Sequence, residues 1–222
     1  MSRDAIIGAI RRGLKRGPLP ADQQAMLAGR IATHPRHLVP RRGQLDHAGR
    51  VALFSEYVER EFGTVARIAS LADTPGAIAA YLAQQNLPAR LVVSPHPVLR
   101  DIPFGDAPLL TVRFGTALPS EAVSLTQAFA GIAVTGTLLL PSGPERPTSN
   151  NLLCDNAIVL LSASRILASY EDGFDLLRTE MSMPRNVMLV TGPSRSADIE
   201  QTLELGAHGP RRLHVLVVDG EG

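Results

Sequence analysis

Residues 186–218, NVMLVTGPSRSADIEQTLELGAHGPRRLHVLVV, are the stretch that best indicates how this chain folds. An apolar run at 187–190 is followed by Thr-Gly-Pro, by a short segment with apolar residues at helix spacing, and by a second apolar run at 213–218. Gly206 is well placed to end the helix. A strand, a helix and a strand in this order predict a βαβ unit, in which a right-handed crossover joins two parallel strands.

The turn after the first of these strands carries several polar groups. Ser194 or Ser196 can cap the predicted helix, and Asp198 suits the positive end of its dipole. The free amides at that helix end, together with the Arg195 guanidinium, can instead receive a carboxylate or a phosphate. An ordinary capped helix is the commoner outcome of so short a motif, and both interpretations stay open at this point.

Strands and helices also alternate along the rest of the chain. Apolar runs predict strands at 64–69, 90–94, 109–114, 132–140 and 157–161, and amphipathic patterns predict helices at 51–62, after Asp73, from Ser120 and from Ser169. This alternation predicts an α/β fold of three layers, in which a mostly parallel sheet carries helices on both faces. Ligands of such sheets bind beyond the carboxyl ends of the strands, where we expect residues 191–196.

The first 48 residues have a different pattern. Residues 2–16 have one apolar and one basic helical face, and residues 17–49 are rich in proline and lack periodicity. We therefore predict an N-terminal amphipathic helix and extended arm at 1–48, followed by one α/β domain at 49–222. A basic amphipathic helix can contact a membrane or a partner chain, but packing on its own domain or on a second subunit is the commoner outcome, and homo-oligomerisation is left open.

Composition and charge exclude several classes of function. The chain has 222 residues and 45% hydrophobic content, which suits one domain with a substantial core. A net charge of +1 and 4% aromatic residues give no basis for binding nucleic acid or an anionic membrane. No apolar run approaches the roughly 20 residues of a membrane span, and the N-terminus lacks a signal-peptide pattern. We expect a cytoplasmic protein.

The single cysteine, Cys154, limits what the chain can bind. It excludes an intramolecular disulfide, an iron–sulfur cluster held by this chain alone and a four-cysteine zinc site, and it fits a reducing compartment. Leucines before it predict a small buried hydrophobe rather than a nucleophile. No metal site is predicted, and four histidines are expected to be solvated: His34, His37, His47 and His96.

Two stretches together resemble the lactate-utilisation protein C family, whose domain is known as LUD. They are TGPSRSADIE at 191–200 followed by GAHGPR at 206–211, and GIAVTGT at 131–137 followed by SGPERPT at 142–148. The resemblance covers roughly residues 45–218. It implies a NagB/RpiA/CoA-transferase-like fold and a part in oxidising L-lactate to pyruvate with iron–sulfur partner proteins, and it leaves the cofactor of this chain open.

The chain departs from the family pattern at three places. Family members often have glutamate at the position of Val134, and a Leu-Pro pair and a later histidine at the positions of Leu153, Cys154 and Ala157. The resemblance therefore transfers no acid–base role to these positions.

The predicted ligand site is a cleft with two walls. One wall comprises Thr135, Gly136, Thr137, Asn150 and Asn151, and the other comprises Thr191, Gly192, Ser194, Arg195, Ser196 and Arg211. Arg195 or Arg211 can bind the carboxylate of a small anionic ligand through two donors. His208 suits proton transfer near neutral pH, and Asp198 is the second candidate for a catalytic group.

These features support three classes of function. The leading hypothesis is a non-redox, anion-binding subunit of a lactate-oxidising system. The second is a stand-alone enzyme of the same fold group, such as a sugar-phosphate isomerase, a hydrolase or a CoA transferase, with Asp198 or His208 as its base. The third is a non-catalytic scaffold that docks partners through the arm at 1–48.

Overall fold

The computed structural model describes residues 2–15, 17–197 and 203–220, except for the side chains of residues 196, 197 and 203–205. It divides the chain into an N-terminal unit, Met1–Leu38, and an α/β unit, Val39–Gly222. Residues 39–46 belong to the α/β unit, where a Cβ on Gly43 would lie 2.6 Å from Val134 Cγ1. None of the described helices is long and apolar enough to cross a membrane.

The N-terminal unit contains two helices, α1 (Arg3–Gly13) and α2 (Ala21–Thr33), and neither buries a side chain. The first confirms the predicted amphipathic helix, and the Ser2 hydroxyl caps it by accepting from the Ala5 amide at 3.3 Å. The prediction of an extended arm is wrong for α2. Its sequence consists largely of strong helix formers, and the prolines lie outside the helix, so they limit its length and do not prevent it.

The α/β unit is built on a six-stranded sheet in which every pair of neighbours is parallel. The strands are β1 (Thr64–Ile68), β2 (Arg90–Val93), β3 (Thr111–Phe114), β4 (Val123–Gln127), β7 (Asn156–Ser162) and β12 (Arg212–Val218). Their order across the sheet is β1-β12-β7-β4-β2-β3. The predicted parallel sheet is therefore confirmed.

A second sheet has four strands, β5 (Ala130–Ile132), β6 (Thr137–Pro141), β8 (Ile166–Leu167) and β9 (Val187–Thr191). Strand β6 runs antiparallel to both β5 and β9, whereas β8 runs parallel to β5. A separate antiparallel pair consists of β10 (Arg195–Ala197) and β11 (Leu203–Leu205).

Helices and the second sheet cover the two faces of the parallel sheet. On one face lie α4 (Thr74–Gln84) and the short α5 (Pro97–Arg100), whose Ile78 and Leu99 pack with strand residues such as Leu125. The other face is shared between α3 (His47–Arg60) and the second sheet, which contribute Phe54 and Leu138 to one core cluster. Helix α6 (Tyr170–Glu180) covers the outer side of the second sheet. The three-layer α/β class is confirmed, with one layer made partly of strands.

The βαβ interpretation of residues 186–218 is wrong. Strand β9 lies in the second sheet, antiparallel to β6, and β12 lies in the parallel sheet between β1 and β7. The predicted helix is also wrong where it is described, because β10 and β11 pair there as strands, while residues 198–202 lie outside the described residues. The chain order of apolar runs does not determine which strands become neighbours, and Leu203 and Leu205 also fit the period of a strand.

Two further elements differ from the predictions. The helix expected from Ser120 is strand β4, in which Ser124 and Thr126 are buried like their apolar neighbours. A parallel strand that is buried on both faces need not alternate apolar and polar residues. Its two hydroxyl residues were therefore mistaken for the polar face of a helix. The single strand expected at 132–140 is two strands, and the turn between them contains Gly136 at a φ of +62°. The remaining predicted helices and strands occur within a few residues of their expected positions, and Ser169 caps α6 in a capping box.

Candidate functional site

A cavity of about 410 Å³ opens at the carboxyl ends of the parallel strands. The last residues of three strands line it, namely Gln127 of β4, Ser162 of β7 and Val218 of β12, and His96 follows the end of β2. Other lining residues are Leu71, Val98, Phe129, Arg146, Leu160, Ser164, Arg165 and Glu180. This is the edge of an α/β sheet at which ligands bind, and its volume lies in the range of ligand-binding pockets.

The central feature of this cavity is a contact between His96 and Arg146. Arg146 Nη2 lies 2.7 Å from His96 Nε2 and 3.4 Å from the Gln127 side-chain oxygen. A guanidinium can only donate hydrogen bonds, so Nε2 must be the acceptor and the ring must be neutral with its proton on Nδ1. Burial lowers the pKa of His96, the Arg146 charge lowers it further, and Glu145 acts in the opposite direction.

Two donors of this pair lack a partner. Within the part of the chain that the structure describes, His96 Nδ1 and Arg146 Nε are buried and make no hydrogen bond. Burial lowers the pKa of Arg146 as well, but a guanidinium keeps its charge in proteins. The pair therefore carries one positive charge and two unused N–H groups beside the cavity.

The second arginine of the cavity is already paired. Arg165 Nη1 lies 2.8 Å and 2.7 Å from the two carboxylate oxygens of Glu180, and each side chain is 36% exposed. The guanidinium of Arg165 also lies 5.4 Å from the ring centroid of Phe129. Since these two charges compensate each other, the charged residues of the lining sum to +1, and that charge belongs to Arg146.

The predicted residues around the Thr-Gly-Thr turn do come together. Thr137 Oγ1 lies 2.7 Å from Thr135 Oγ1, 2.6 Å from Thr191 Oγ1 and 2.8 Å from the hydroxyl of Tyr170, a residue that the sequence reading missed. Gly136 and Gly192 both have positive φ and pack against α3 or the turn after it, where a Cβ would lie 2.6 Å from Val58 N and 2.3 Å from Glu61 O, respectively. This cluster lies at the amino end of α6, whereas Glu180 of the cavity lies at its carboxyl end.

The two predicted asparagines follow Arg146 in the chain, and Asn151 lines one small cavity with Arg146 and Gln127 and another with Gly192. Asn150 is fully buried, accepts from the Ala117 amide at 2.7 Å, and donates to Ser94 Oγ at 3.0 Å and to Gly115 O at 2.9 Å. Asn150 therefore connects the loop that contains Arg146 to Ser94, two residues before His96. Asn151 Oδ1 is buried and has no partner among the described residues.

The remaining predicted residues lie elsewhere. Arg195 contacts the Glu61 carboxylate at 3.4 Å and stacks on the Phe62 ring at 3.9 Å. Ser194 Oγ accepts from the His208 amide at 3.2 Å, and Arg211 immediately precedes β12, at the amino edge of the parallel sheet. Asp198 and the Ser196 side chain lie outside the described residues. The ligand-binding and catalytic roles predicted for these residues stay predictions.

Sequence reasoning also misjudged one histidine. His34, His37 and His47 are exposed as expected, but the prediction that His96 is solvated is wrong, because only 8% of it is exposed. Its position directly after a buried strand, between Pro95 and Pro97, was the available signal. Cys154 is buried, and burial raises the pKa of its thiol to about 11, which confirms a packed hydrophobe rather than a reactive thiolate. Among the described residues, no group of three or more His, Cys, Asp and Glu residues could hold a metal ion.

Residues 120–218 match the family model of the LUD domain. The match includes Gln127, Arg146 and Ser162 of the cavity, whereas His96 precedes it. The resemblance inferred from the two sequence stretches is therefore confirmed.

Several proteins are similar to this chain. An uncharacterized protein of Neisseria meningitidis serogroup B is 41% identical over 92 residues, which are 41% of this chain and 40% of that protein. The Lactate utilization protein C of Deinococcus radiodurans is 28% identical over 179 residues, or 76% and 81% of the two chains. The Lactate utilization protein C of Bacillus subtilis is 32% identical over 102 residues, or 44% and 42%. The matched stretch thus spans less than half of the first and third of these relatives.

A solved structure supports the fold. The crystal structure of a DUF162 family protein from Deinococcus radiodurans is similar to this chain with a TM-score of 0.58 and 25% identity. The superposition covers 78% of this chain and 99% of that one. It extends beyond the residues matched by the family model, so the α/β architecture of the larger part of the chain is shared.

Proposed function

We propose that this chain is a non-redox, anion-binding subunit of a system that oxidises L-lactate to pyruvate with iron–sulfur partner proteins. The LUD domain and the relatives named Lactate utilization protein C support its place in such a system. The observation that carries the anion-binding part is the half-buried guanidinium of Arg146, which faces a cavity and has no carboxylate partner among the described residues.

The division of labour in this proposal follows from the cysteine count. Conversion of lactate to pyruvate releases two electrons, and iron–sulfur clusters that accept electrons are held mainly by cysteine thiolates. One cysteine cannot hold such a cluster, and Cys154 is packed in the core. We therefore assign electron transfer to the partner proteins and anion binding to this chain, in a reducing cytoplasm.

The proposal is tested by lactate-dependent reduction of an artificial electron acceptor. The purified chain is assayed alone, the iron–sulfur proteins encoded beside it are assayed alone, and the mixture is assayed last. Reduction only in the mixture supports the proposal. Reduction by the chain alone contradicts the non-redox assignment, and equal reduction with and without the chain contradicts its role as a subunit.

A further inference from the structure

We propose that the cavity at the carboxyl ends of the strands binds 2-hydroxy or 2-oxo carboxylic acids larger than lactate, whose carboxylate accepts from Arg146 Nε and His96 Nδ1 after these two N–H groups, which are enclosed in the ligand-free chain, turn toward the cavity. This inference rests on the proposed function, which it deepens by naming the class of acid and the two donors. Three observations support it: the two donors without partners, the half-buried positive charge of Arg146 and the size of the cavity.

The first part is the state of the two donors. Arg146 Nη2 lies 2.7 Å from His96 Nε2 and can only donate, so Nε2 accepts this hydrogen bond and the ring proton lies on Nδ1. Both Nδ1–H and the Nε–H of Arg146 are buried without a partner among the described residues. A buried donor that stays unpaired is destabilising, so a ligand with two acceptor oxygens gains from both groups. A carboxylate has this arrangement of oxygens.

The second part is charge. A water molecule could satisfy a donor, but it would leave the half-buried guanidinium of Arg146 without an ion-pair partner, with only the more distant charge of Glu145 to offset it. Arg165 lines the same cavity and differs in this respect, because Glu180 pairs with it at 2.7 Å. A carboxylate ligand would give Arg146 the counter-ion that Arg165 already has.

The third part is size. A cavity of about 410 Å³ lies in the range of sites that enclose drug-sized ligands, and lactate has only a methyl group beyond its reacting atoms. Leu71, Val98 and Leu160 supply apolar surface in the lining, while Ser162 and Ser164 supply hydroxyls. The apolar surface suits a larger side chain, and the hydroxyls can bond the oxygen at C2 of the acid.

The test is isothermal titration calorimetry of the full chain without partner proteins, with four probes. These are 3-phenyllactate, lactate, inorganic phosphate and 3-phenyl-1,2-propanediol, which has the apolar body but no carboxylate. We expect 3-phenyllactate to bind at least about tenfold more tightly than each of the others. Lactate or phosphate binding as tightly as 3-phenyllactate would overturn the size argument, and equal binding of the diol would overturn the carboxylate argument.

Variants identify the donors. Arg146→Gln is expected to weaken 3-phenyllactate about 30-fold or more, whereas the matched control Arg165→Gln, in the same cavity, should change it less than about threefold. His96→Gln places an amide where Nε2 lies and should weaken binding about tenfold, whereas His96→Asn places its amide near Nδ1 and should weaken it less. Arg146→Lys keeps the positive charge but lacks the planar guanidinium, so its loss of affinity for 3-phenyllactate should be intermediate. This variant tests the role of Arg146 even if Arg146→Gln does not fold.

Three outcomes would contradict the proposal: unchanged affinity in folded Arg146→Gln, a larger loss in Arg165→Gln, or no binding of any acid. Because the titrations use the chain alone, each of these leaves the lactate assay of the reconstituted mixture to decide the proposed function separately. If that assay fails while 3-phenyllactate still binds, the proposed role in a lactate system is wrong and the proposed binding site stands.

Discussion

Two buried histidines lie at opposite ends of the parallel sheet, and their surroundings differ. His96 is 8% exposed and follows the carboxyl end of β2, and His214 is 5% exposed and lies near the amino end of β12. Burial lowers the pKa of both rings, to about 4 for His214. In each ring one nitrogen has a partner and the other has none among the described residues.

His214 is packed as part of the core. Its ring stacks on Tyr81 with centroids 4.0 Å apart and an interplanar angle of 8°. Its Nδ1 lies 2.8 Å from Thr64 Oγ1, and that hydroxyl lies 3.4 Å from Leu213 O, to which it can donate. Nδ1–H can therefore donate to Thr64, which leaves Nε2 with a lone pair and no proton.

The comparison shows that a buried histidine with a lowered pKa is not by itself a ligand site. His214 leaves a lone pair beside packed side chains, with its ring against Tyr81. His96 leaves an N–H beside a cavity and a cation that has no ion-pair partner among the described residues. Only the surroundings of His96 are stabilised by an anion. The two histidines therefore differ in the kind of unpaired group, a donor or a lone pair, and in the open space beside it.

The largest expected effect is the pH dependence of stability at His214. Between its ordinary pKa of 6.5 and its folded pKa of about 4, the unfolded chain binds a proton that folded His214 does not. The free energy of unfolding should therefore fall as the pH falls through this window, by about 3 kcal/mol from this residue. Urea unfolding of the chain and of His214→Gln at about pH 7 and about pH 4 measures it.

The His214→Gln variant should show a clearly flatter pH dependence than the unmodified chain. Saturating 3-phenyllactate should leave the His214 contribution unchanged, because this residue lies at the other end of the sheet. Identical pH dependence with and without the substitution would mean that His214 does not stay neutral when buried.

The next effect concerns the amide that holds the cavity end together. Asn150→Ala removes three hydrogen bonds and leaves the Ala117 amide unpaired, so the free energy of unfolding should fall by about 2 kcal/mol. Asn151→Ala is the control, since it removes a buried oxygen without a partner and should cost less. The midpoints of urea unfolding decide this, and equal losses would contradict the structural role of Asn150.

A smaller effect of opposite sign is expected at Arg146. Arg146→Met replaces a half-buried cation that has no ion-pair partner among the described residues with an apolar side chain, so the ligand-free chain should become more stable by about 1 kcal/mol. The same variant should lose the rise in melting temperature that 3-phenyllactate gives the unmodified chain. A loss of stability in Arg146→Met would indicate that the cation is compensated in the free protein.

The smallest effect is expected for removal of the N-terminal unit. Since α1 and α2 bury no side chain, deletion of residues 1–38 should change the unfolding free energy of the α/β unit by less than about 0.5 kcal/mol. The affinity for 3-phenyllactate should also stay the same. Insolubility of the truncated chain would show instead that these helices cover apolar surface.

Much of the fold could be predicted because most elements have a clear period. Helix α6 begins at the expected cap, Ser169, and strands β7 and β12 are unbroken apolar runs. Strand β4 could not be recognised in this way, because Ser124 and Thr126 are buried in it although they are polar. The partners of β9 were also out of reach, since pairing across a sheet depends on contacts far apart in the chain.

The candidate site was predicted less well, for a physical reason. His96 and Arg146 are 50 positions apart in the chain. They come into contact only because the fold places the loop after β2 beside the loop that contains Asn150. The position of His96 directly after a buried strand was a local signal of its burial, but no local signal indicated its contact with Arg146. The turn at Gly136, which approaches α3 closely, lay inside a single predicted strand, so neither this turn nor the unpaired donors of the cavity were predicted.

The most direct test of the central claim is nitrogen-15 NMR of the histidine side chains with and without 3-phenyllactate. The account predicts that free His96 carries its proton on Nδ1 and that this resonance shifts on addition of the acid, while His214 keeps its position. A proton on Nε2 of His96, or a His96 signal that does not respond to the bound acid, would contradict the assignment of this cavity as the carboxylate site.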